Sequence, residues 1–324
     1  MRNALKQEGR KCQVAIIGDT VYPFLLEPNI SGWRTVDSAD RILLLSFPLE
    51  PFDVSSLPIH SSRRFGGVLR LYGAAGADAI ARAHVAVAGI GGVGSWAAEA
   101  LARSGVGQIT LIDLDHVAES NINRQIHATD ATLGQAKVLA MQARIAGFHP
   151  HCRVHTVDAF VEPDNWPAVL PAPVDAVIDA CDQMAAKTAM AAWARAEKTP
   201  FITVGAAGGK QSPWLVEVDD LTRATHDPLL AQLRQRLRKW HQGPRDGKPF
   251  GVTCGFSRET VQRPAIAGCE ADALDSNLNC QGYGSSVTVT ATFGLCAAGW
   301  VLQQLARRPK HETAHSLPCL QTPR

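Results

Sequence analysis

From Gly89 to Lys137 the chain strings together residues with the means to hold a phosphorylated nucleotide. Gly89, Gly91 and Gly94 form a GxGxxG pattern, with Gly92 inside it, between an apolar run and a helical one. Such glycines allow a tight turn, and backbone N–H groups at a helix start attract phosphate. Asp113 closes the next apolar run, 19 residues after Gly94, where a carboxylate can bind a ribose hydroxyl. The glycines and Asp113 alone would make an NAD or FAD oxidoreductase the default.

The next residues separate the possibilities. Asp113, Asp115, Asn121 and Arg124 lie in the run DLDHVAESNINRQ, and GQAK then ends at Lys137. A dehydrogenase has no evident need of this set after its second strand, whereas an enzyme that cleaves a triphosphate does. Arg124 can fork onto phosphate oxygens, and Lys137 can neutralise charge building on departing pyrophosphate. Asp182, after a later apolar run, suits Mg²⁺ as an oxygen ligand. Solvated surface charge is the plain alternative for Arg124 or Lys137 singly. The ordered set points to ATP and adenylation.

The elements that must position these residues alternate. Strands are expected at His84–Ala88, Gln108–Ile112, Arg153–Val157, Val174–Ile178 and Phe201–Val204, with helices over Ser95–Ser104, Ala131–Ala146 and Thr188–Glu197. Alternation of this kind predicts an α/β fold: a Rossmann-like, mostly parallel sheet with helices on both faces. Its ligands sit beyond the C-terminal strand ends, which gathers Gly89, Asp113, Asp179 and Asp182 around one crevice. Residues 1–62 read as an extension of unassigned role, with strand-like pieces at Gln13–Ile17 and Arg41–Ser46. Residues 63–306 form the adenylation domain with a basic insert near 222–282, and 307–324 form a polar tail.

Composition sets outer bounds. The 324 residues are 46% hydrophobic and 19% charged, a globular balance that excludes wholesale disorder. A net charge of +2 is too mild to imply a nucleic-acid partner by itself. Eight cysteines without a CxxC pair argue against a structural zinc site and for a reducing, cytoplasmic location. Ser276–Ala306 carries no charge; a buried helix closing the core is the expected reading, because its threonines and glutamines leave no strongly apolar span and no stable membrane insertion is expected.

GIGGVG, LIDLD, NINRQ and GQAK together resemble the ubiquitin-activating-enzyme-like superfamily that includes the MoeB and ThiF adenylating enzymes. Within it, RRFGGVLRLYG (63–73), NRQIHA (123–128) and VTATFG (289–294) are similar to the tRNA threonylcarbamoyladenosine dehydratase (TcdA/CsdL) family, over about residues 63–306. The resemblance implies ATP contacts at Gly89, Gly91, Gly92 and Gly94, ribose at Asp113, and phosphates at Asn121, Arg124 and Lys137. It makes Asp182 the magnesium aspartate, although the D-N pair common in relatives is Asp182-Gln183 here. It also implies a homodimer in which an arginine reaches the neighbouring subunit's ATP. Gly67 stands where that arginine would fall, leaving Arg64 and Arg70 as candidates. The implied reaction is ATP-driven dehydration of threonylcarbamoyladenosine beside the tRNA anticodon. The alternative is adenylation of the C-terminal glycine of a ubiquitin-like sulfur carrier, with a sulfur-relay protein as a possible partner.

A cysteine and a basic helix carry two further expectations. Cys254, in the loop-like GVTCGFS, is the candidate for members that pass an acyl group to cysteine; a plain thiol is the alternative. Residues 229–250 hold six Arg/Lys against one Asp, and Leu229, Leu233, Leu237 and Trp240 share one helical face. Arg234, Arg238 and Lys239 fall off that face and suit tRNA phosphates, against the alternative of a solvated helix.

Overall fold

The computed structural model describes residues 2–7, 10–17, 20–25, 44–45, 61–262 and 283–307. The chain divides into two units, residues 1–60 and 61–324. In the first, strands β1 (Arg2–Gln7), β2 (Arg10–Ile17), β3 (Thr20–Leu25) and β4 (Leu44–Leu45) form a sheet in the order β3-β2-β1-β4. Of the two strand-like pieces expected there, Gln13–Ile17 falls in β2; Arg41–Ser46 is described only at Leu44–Leu45. The expected C-terminal tail lies outside the described residues beyond Arg307.

The second unit opens with helices α1 (Ser61–Arg64) and α2 (Gly66–Arg82), followed by β5 (His84–Ala88). Then come α3 (Gly94–Arg103), β6 (Gln108–Ile112), α4 (Lys137–Ala146), β7 (Arg153–Val157) and β8 (Ala176–Asp179). The chain continues through α5 (Met184–Glu197), β9 (Phe201–Val204), β10 (Val216–Asp220), α6 (Pro228–Trp240), β11 (Thr253–Ser257) and α7 (Val287–Arg307).

Seven strands build one sheet in the order β10-β11-β9-β8-β5-β6-β7, parallel except for the antiparallel pair β10–β11. Successive residues of β5 go to opposite faces. Val85 and Val87 join a core with α3, α4 and α7, while Ala86 and Ala88 join a second core with α5 and α6. This is the expected α/β arrangement, with helices on both faces. Strand order reverses at β5, whose neighbours are β6 and β8, and that switch point opens a crevice at their C-terminal ends.

Three sequence expectations change. The segment after β9 is not simply an insert, because its β11 lies in the sheet between β9 and β10. Helix α4 starts at Lys137, not Ala131: Asp130–Thr132 is a short 3-10 turn, and the Lys137 N–H donates to the Asp115 carbonyl at 3.0 Å. Trp240 leaves the buried face of α6: Leu229, Leu230, Leu233 and Leu237 are buried, but Trp240 is 55% exposed. The uncharged stretch becomes α7, which is long and apolar enough to cross a membrane on length and composition alone. It buries Val289, Phe293, Ala297, Val301 and Leu305 in the core instead. At Gly294 a Cβ would lie 2.4 Å from the Val93 carbonyl oxygen, so α7 meets the α3 start with room only for glycine.

Candidate nucleotide site

The glycine turn links β5 to α3. Gly89 has φ +84°, and a Cβ there would press within 2.8 Å of the Ala180 carbonyl oxygen, after β8. Gly91 faces open space, with no atom within 4 Å of where a methyl would stand, so a ligand has room to reach its backbone. A methyl at Gly92 would stand 3.2 Å from the Arg124 stem. Gly94 is different: it does not line the cavity, and its α-carbon faces the Gly89 carbonyl so closely that no side chain fits. Glycine is required at Gly94 by the packing of the turn against the start of α3.

Asp113 fixes this turn. Its carboxylate accepts the Ile90 N–H at 2.6 Å and the Asp115 N–H at 2.8 Å, and burial pushes its pKa up. A carboxylate offers about four acceptor positions, so capacity remains for a ribose hydroxyl. Lys137, at the first position of α4, is buried; its Nζ lies 2.6 Å from Asp115 Oδ2 and 3.9 Å from Asp113 Oδ1. Asn121 accepts the Ala118 N–H through its side chain, and Arg124 donates to the Ser120 carbonyl at 2.6 Å and to Asn123 Oδ1 at 3.0 Å. Gly89, Gly91, Gly92, Asp113, Asp115, Asn121, Arg124 and Lys137, together with Asp182, line one cavity of about 950 Å³ at the switch point. That size suits a small-molecule site, for which roughly 300–1,000 Å³ is usual.

Beneath the cavity lies a charge pair that sequence reasoning missed. Lys187 is fully buried in α5, donating to Asp179 Oδ2 at 3.0 Å, Thr203 Oγ1 at 3.1 Å and the Val204 carbonyl at 2.9 Å. Burial opposes its charge, but attraction to Asp179 wins and holds its pKa above the ordinary lysine range. Asp179 Oδ1 also accepts the Cys181 N–H at 3.2 Å, so the pair ties β8, β9 and the loop bearing Asp182 together. One sequence signal was present: Lys187 is the lone charge in residues 184–194, otherwise small, apolar or neutral.

The remaining expected residues lie elsewhere. Arg70 is exposed on α2 and does not line its own chain's cavity; Arg64 donates to the Phe148 carbonyl at 2.6 Å. Cys254 sits in β11 rather than a loop. It is buried, and desolvation pushes its thiol far above the ordinary range. A thiolate is the reactive form, so the acyl-acceptor role for Cys254 is corrected. Cys181 does line the cavity, but burial raises its thiol too, and it donates to Asp179 Oδ1. We expect Cys254→Ala to keep wild-type turnover at saturating substrate, measured as AMP release; loss of turnover would reinstate the cysteine.

The basic helix also reads differently in three dimensions. Arg234 donates to the Leu221 and Ala224 carbonyls, both at 2.9 Å, and Arg238 to the Pro244 carbonyl at 3.1 Å. Both expected tRNA arginines thus serve loop closure, while Lys239 is exposed.

Beside the site, His127 is buried, and neither ring nitrogen finds a hydrogen-bond partner among the described residues. Burial, helped by Lys137 and Arg144, lowers its pKa to about 4. Below pH 6.5 the unfolded chain gains a proton that the folded site refuses. This group therefore takes stability away as pH falls from 6.5 to about 4, by about 3 kcal/mol in all. Urea unfolding across that window is expected to show a smaller loss in His127→Leu than in wild type, and parallel curves would contradict this assignment.

Known proteins resemble this chain. The ThiF family model matches residues 66–322. The chain is 44% identical over 250 residues to tRNA threonylcarbamoyladenosine dehydratase of Escherichia coli, covering 75% of this chain and 93% of that protein. It is 39% identical to the Haemophilus influenzae protein of the same name, covering 76% and 94%. A crystal structure of the E. coli dehydratase, TcdA, in complex with ATP superposes with a TM-score of 0.69 at 42% identity, covering 77% of this chain and 97% of that one.

Proposed function

The chain belongs to the ThiF family, and on that footing we propose that it is an ATP-dependent tRNA threonylcarbamoyladenosine dehydratase. One observation carries the reading: the glycine turn, Asp113, Arg124, Lys137 and Asp182 share the wall of one cavity at the switch point. Relatives that align along most of the chain have a tRNA nucleoside in their names, which favours that substrate over a sulfur-carrier glycine.

The chemistry draws on the groups around the cavity. A carboxylate oxygen of the threonylcarbamoyl group attacks the α-phosphorus of ATP, and the bond to pyrophosphate breaks. The carbonyl carbon, now bonded to AMP, is attacked by the carbamoyl part of the same side chain. AMP leaves with one former carboxylate oxygen, a proton is lost, and a ring remains. Binding both reactants in one cavity supplies proximity, and ring closure is intramolecular, so no protein nucleophile is needed. This agrees with the burial of Cys254. Lys137 supplies positive charge beside the phosphates by exchanging its Asp115 contact for them, and Arg124 supplies a planar donor fork.

The residues fit Mg²⁺ only as a phosphate-bound ion. No cluster of three or more His, Cys, Asp or Glu side chains suited to a metal occurs among the described residues. Mg²⁺ usually takes one or two carboxylates and completes its shell with phosphates and water, and Asp182 on the cavity wall meets that need. When bound, the ion would neutralise phosphate charge. Arg70, exposed and outside its own cavity, suits a contact in trans within a homodimer. A cytoplasmic location accords with both substrates, ATP and tRNA.

The test is direct. Protein, ATP, Mg²⁺ and tRNA bearing threonylcarbamoyladenosine are incubated, and the digested nucleosides are weighed. The reading expects a nucleoside lighter by one water. An unchanged nucleoside, with pyrophosphate exchange driven instead by a small carrier protein, would replace the tRNA substrate.

A further inference from the structure

Helix α6 begins at the cavity and runs outward. Pro228, Leu229 and Gln232 line the cavity wall, and positions at helical spacing from them, Arg236, Lys239 and Trp240, continue the same side of the helix. Gln232 and Trp240 are eight positions apart, about 12 Å along the axis. Gln232, Lys239 and Trp240 are exposed and Arg236 is half-buried, in contrast to Leu230, Leu233 and Leu237 on the core side. Arg234 and Arg238 point to the other flank and are held by backbone carbonyls.

Trp240 ends this track. The Arg236 guanidinium lies 5.4 Å and the Lys239 ammonium 5.2 Å from its ring centroid. A large indole 55% exposed at a helix end contributes little to the core. With two cations held over its ring, it has the makeup of a stacking platform for a base that displaces one of them onto its own backbone phosphate.

We propose that the Gln232–Arg236–Lys239–Trp240 face of α6 is the track on which the RNA around the modified adenosine lies, with a neighbouring base stacked on Trp240. The inference rests on the dehydratase reading and adds the surface that presents the substrate. Charge sign favours RNA as occupant, and so does continuity: the face starts among residues of the cavity that the modified side chain must enter. The cationic pair takes phosphates without reading sequence.

The test uses the full-length chain and tRNA bearing threonylcarbamoyladenosine, with Trp240→Ala, Trp240→Phe and Arg236→Ala/Lys239→Ala. Trp240→Ala is expected to weaken tRNA binding about tenfold, and Trp240→Phe to restore most of it. Removing both cations is expected to flatten the slope of log affinity against log salt by about 1.4. The losses should sit in KM for tRNA, with ATP affinity retained. Unchanged tRNA affinity and salt slope in these variants, with wild-type protein active on tRNA, would overturn the track alone. Wild-type protein that neither binds nor dehydrates the tRNA would instead overturn the reading beneath it. Loss of a protein partner with tRNA binding intact would assign the face to protein contact and also overturn the proposal.

Discussion

Lys137→Ala is expected to lower AMP formation by roughly 10²–10³-fold at saturating ATP and tRNA. The ammonium is buried beside Asp113 and Asp115, and Lys137 lines the cavity proposed to hold the triphosphate. Its removal also leaves Asp113 and Asp115 without their counter-charge; the Asp115 side chain is 35% exposed and partly screened by solvent, so the loss falls below the about 3–5 kcal/mol of a fully buried pair. The two effects are separable. Lys137→Arg keeps the charge and so most of the stability, but its planar fork cannot reproduce a point charge at the same spot. Its AMP formation should remain well below wild type while its urea midpoint stays near the wild-type value. Full turnover in either variant would remove Lys137 from the phosphate machinery.

The glycine turn gives a second pair of expected results. Gly94→Ala would place a Cβ 1.7 Å from the Gly89 carbonyl oxygen, a backbone atom that cannot swing aside. Moving it means moving the turn and the start of α3 together, so a loss of about 4 kcal/mol or more is expected. Gly91→Ala meets no protein atom within 4 Å. It should unfold near the wild-type midpoint yet bind ATP about tenfold more weakly, because the methyl occupies space needed for close phosphate approach. Thermal melts and ATP titration of the two variants distinguish packing from binding inside a single motif. A stable Gly94→Ala, or a Gly91→Ala with full ATP affinity, would contradict that division.

Much of this was legible because the sheet centre is written in short, mostly apolar runs. His84–Ala88 and Ile109–Ile112 are buried on both sides and stop at Gly89 and Asp113, so their ends were plain in the sequence. The edge was harder. Val216–Asp220 carries three carboxylates on the outermost strand, and Thr253–Ser257 is short and follows Gly251 closely, so β10 and β11 lacked a strand signature. Cys254 was expected in a loop for that reason.

In the candidate site, the ordered set from Gly89 to Lys137 was readable by spacing, but Gly94 shows that adjacent glycines divide between ligand space and packing. The Asp179–Lys187 pair joins residues brought together by strand order, which spacing does not encode. Trp240 fits the apolar helical face by periodicity, yet α6 outruns the core before reaching it, leaving the indole exposed.

The central claim is that the substrate's own carboxylate is activated on ATP. Preparing the threonylcarbamoyl carboxylate with ¹⁸O, running a single turnover in ordinary water and weighing the released AMP tests it most directly. One label in AMP, with the nucleoside lighter by a water, is the predicted result. Unlabelled AMP alongside a dehydrated nucleoside would contradict it, because the lost oxygen would then have left without passing through an adenylate.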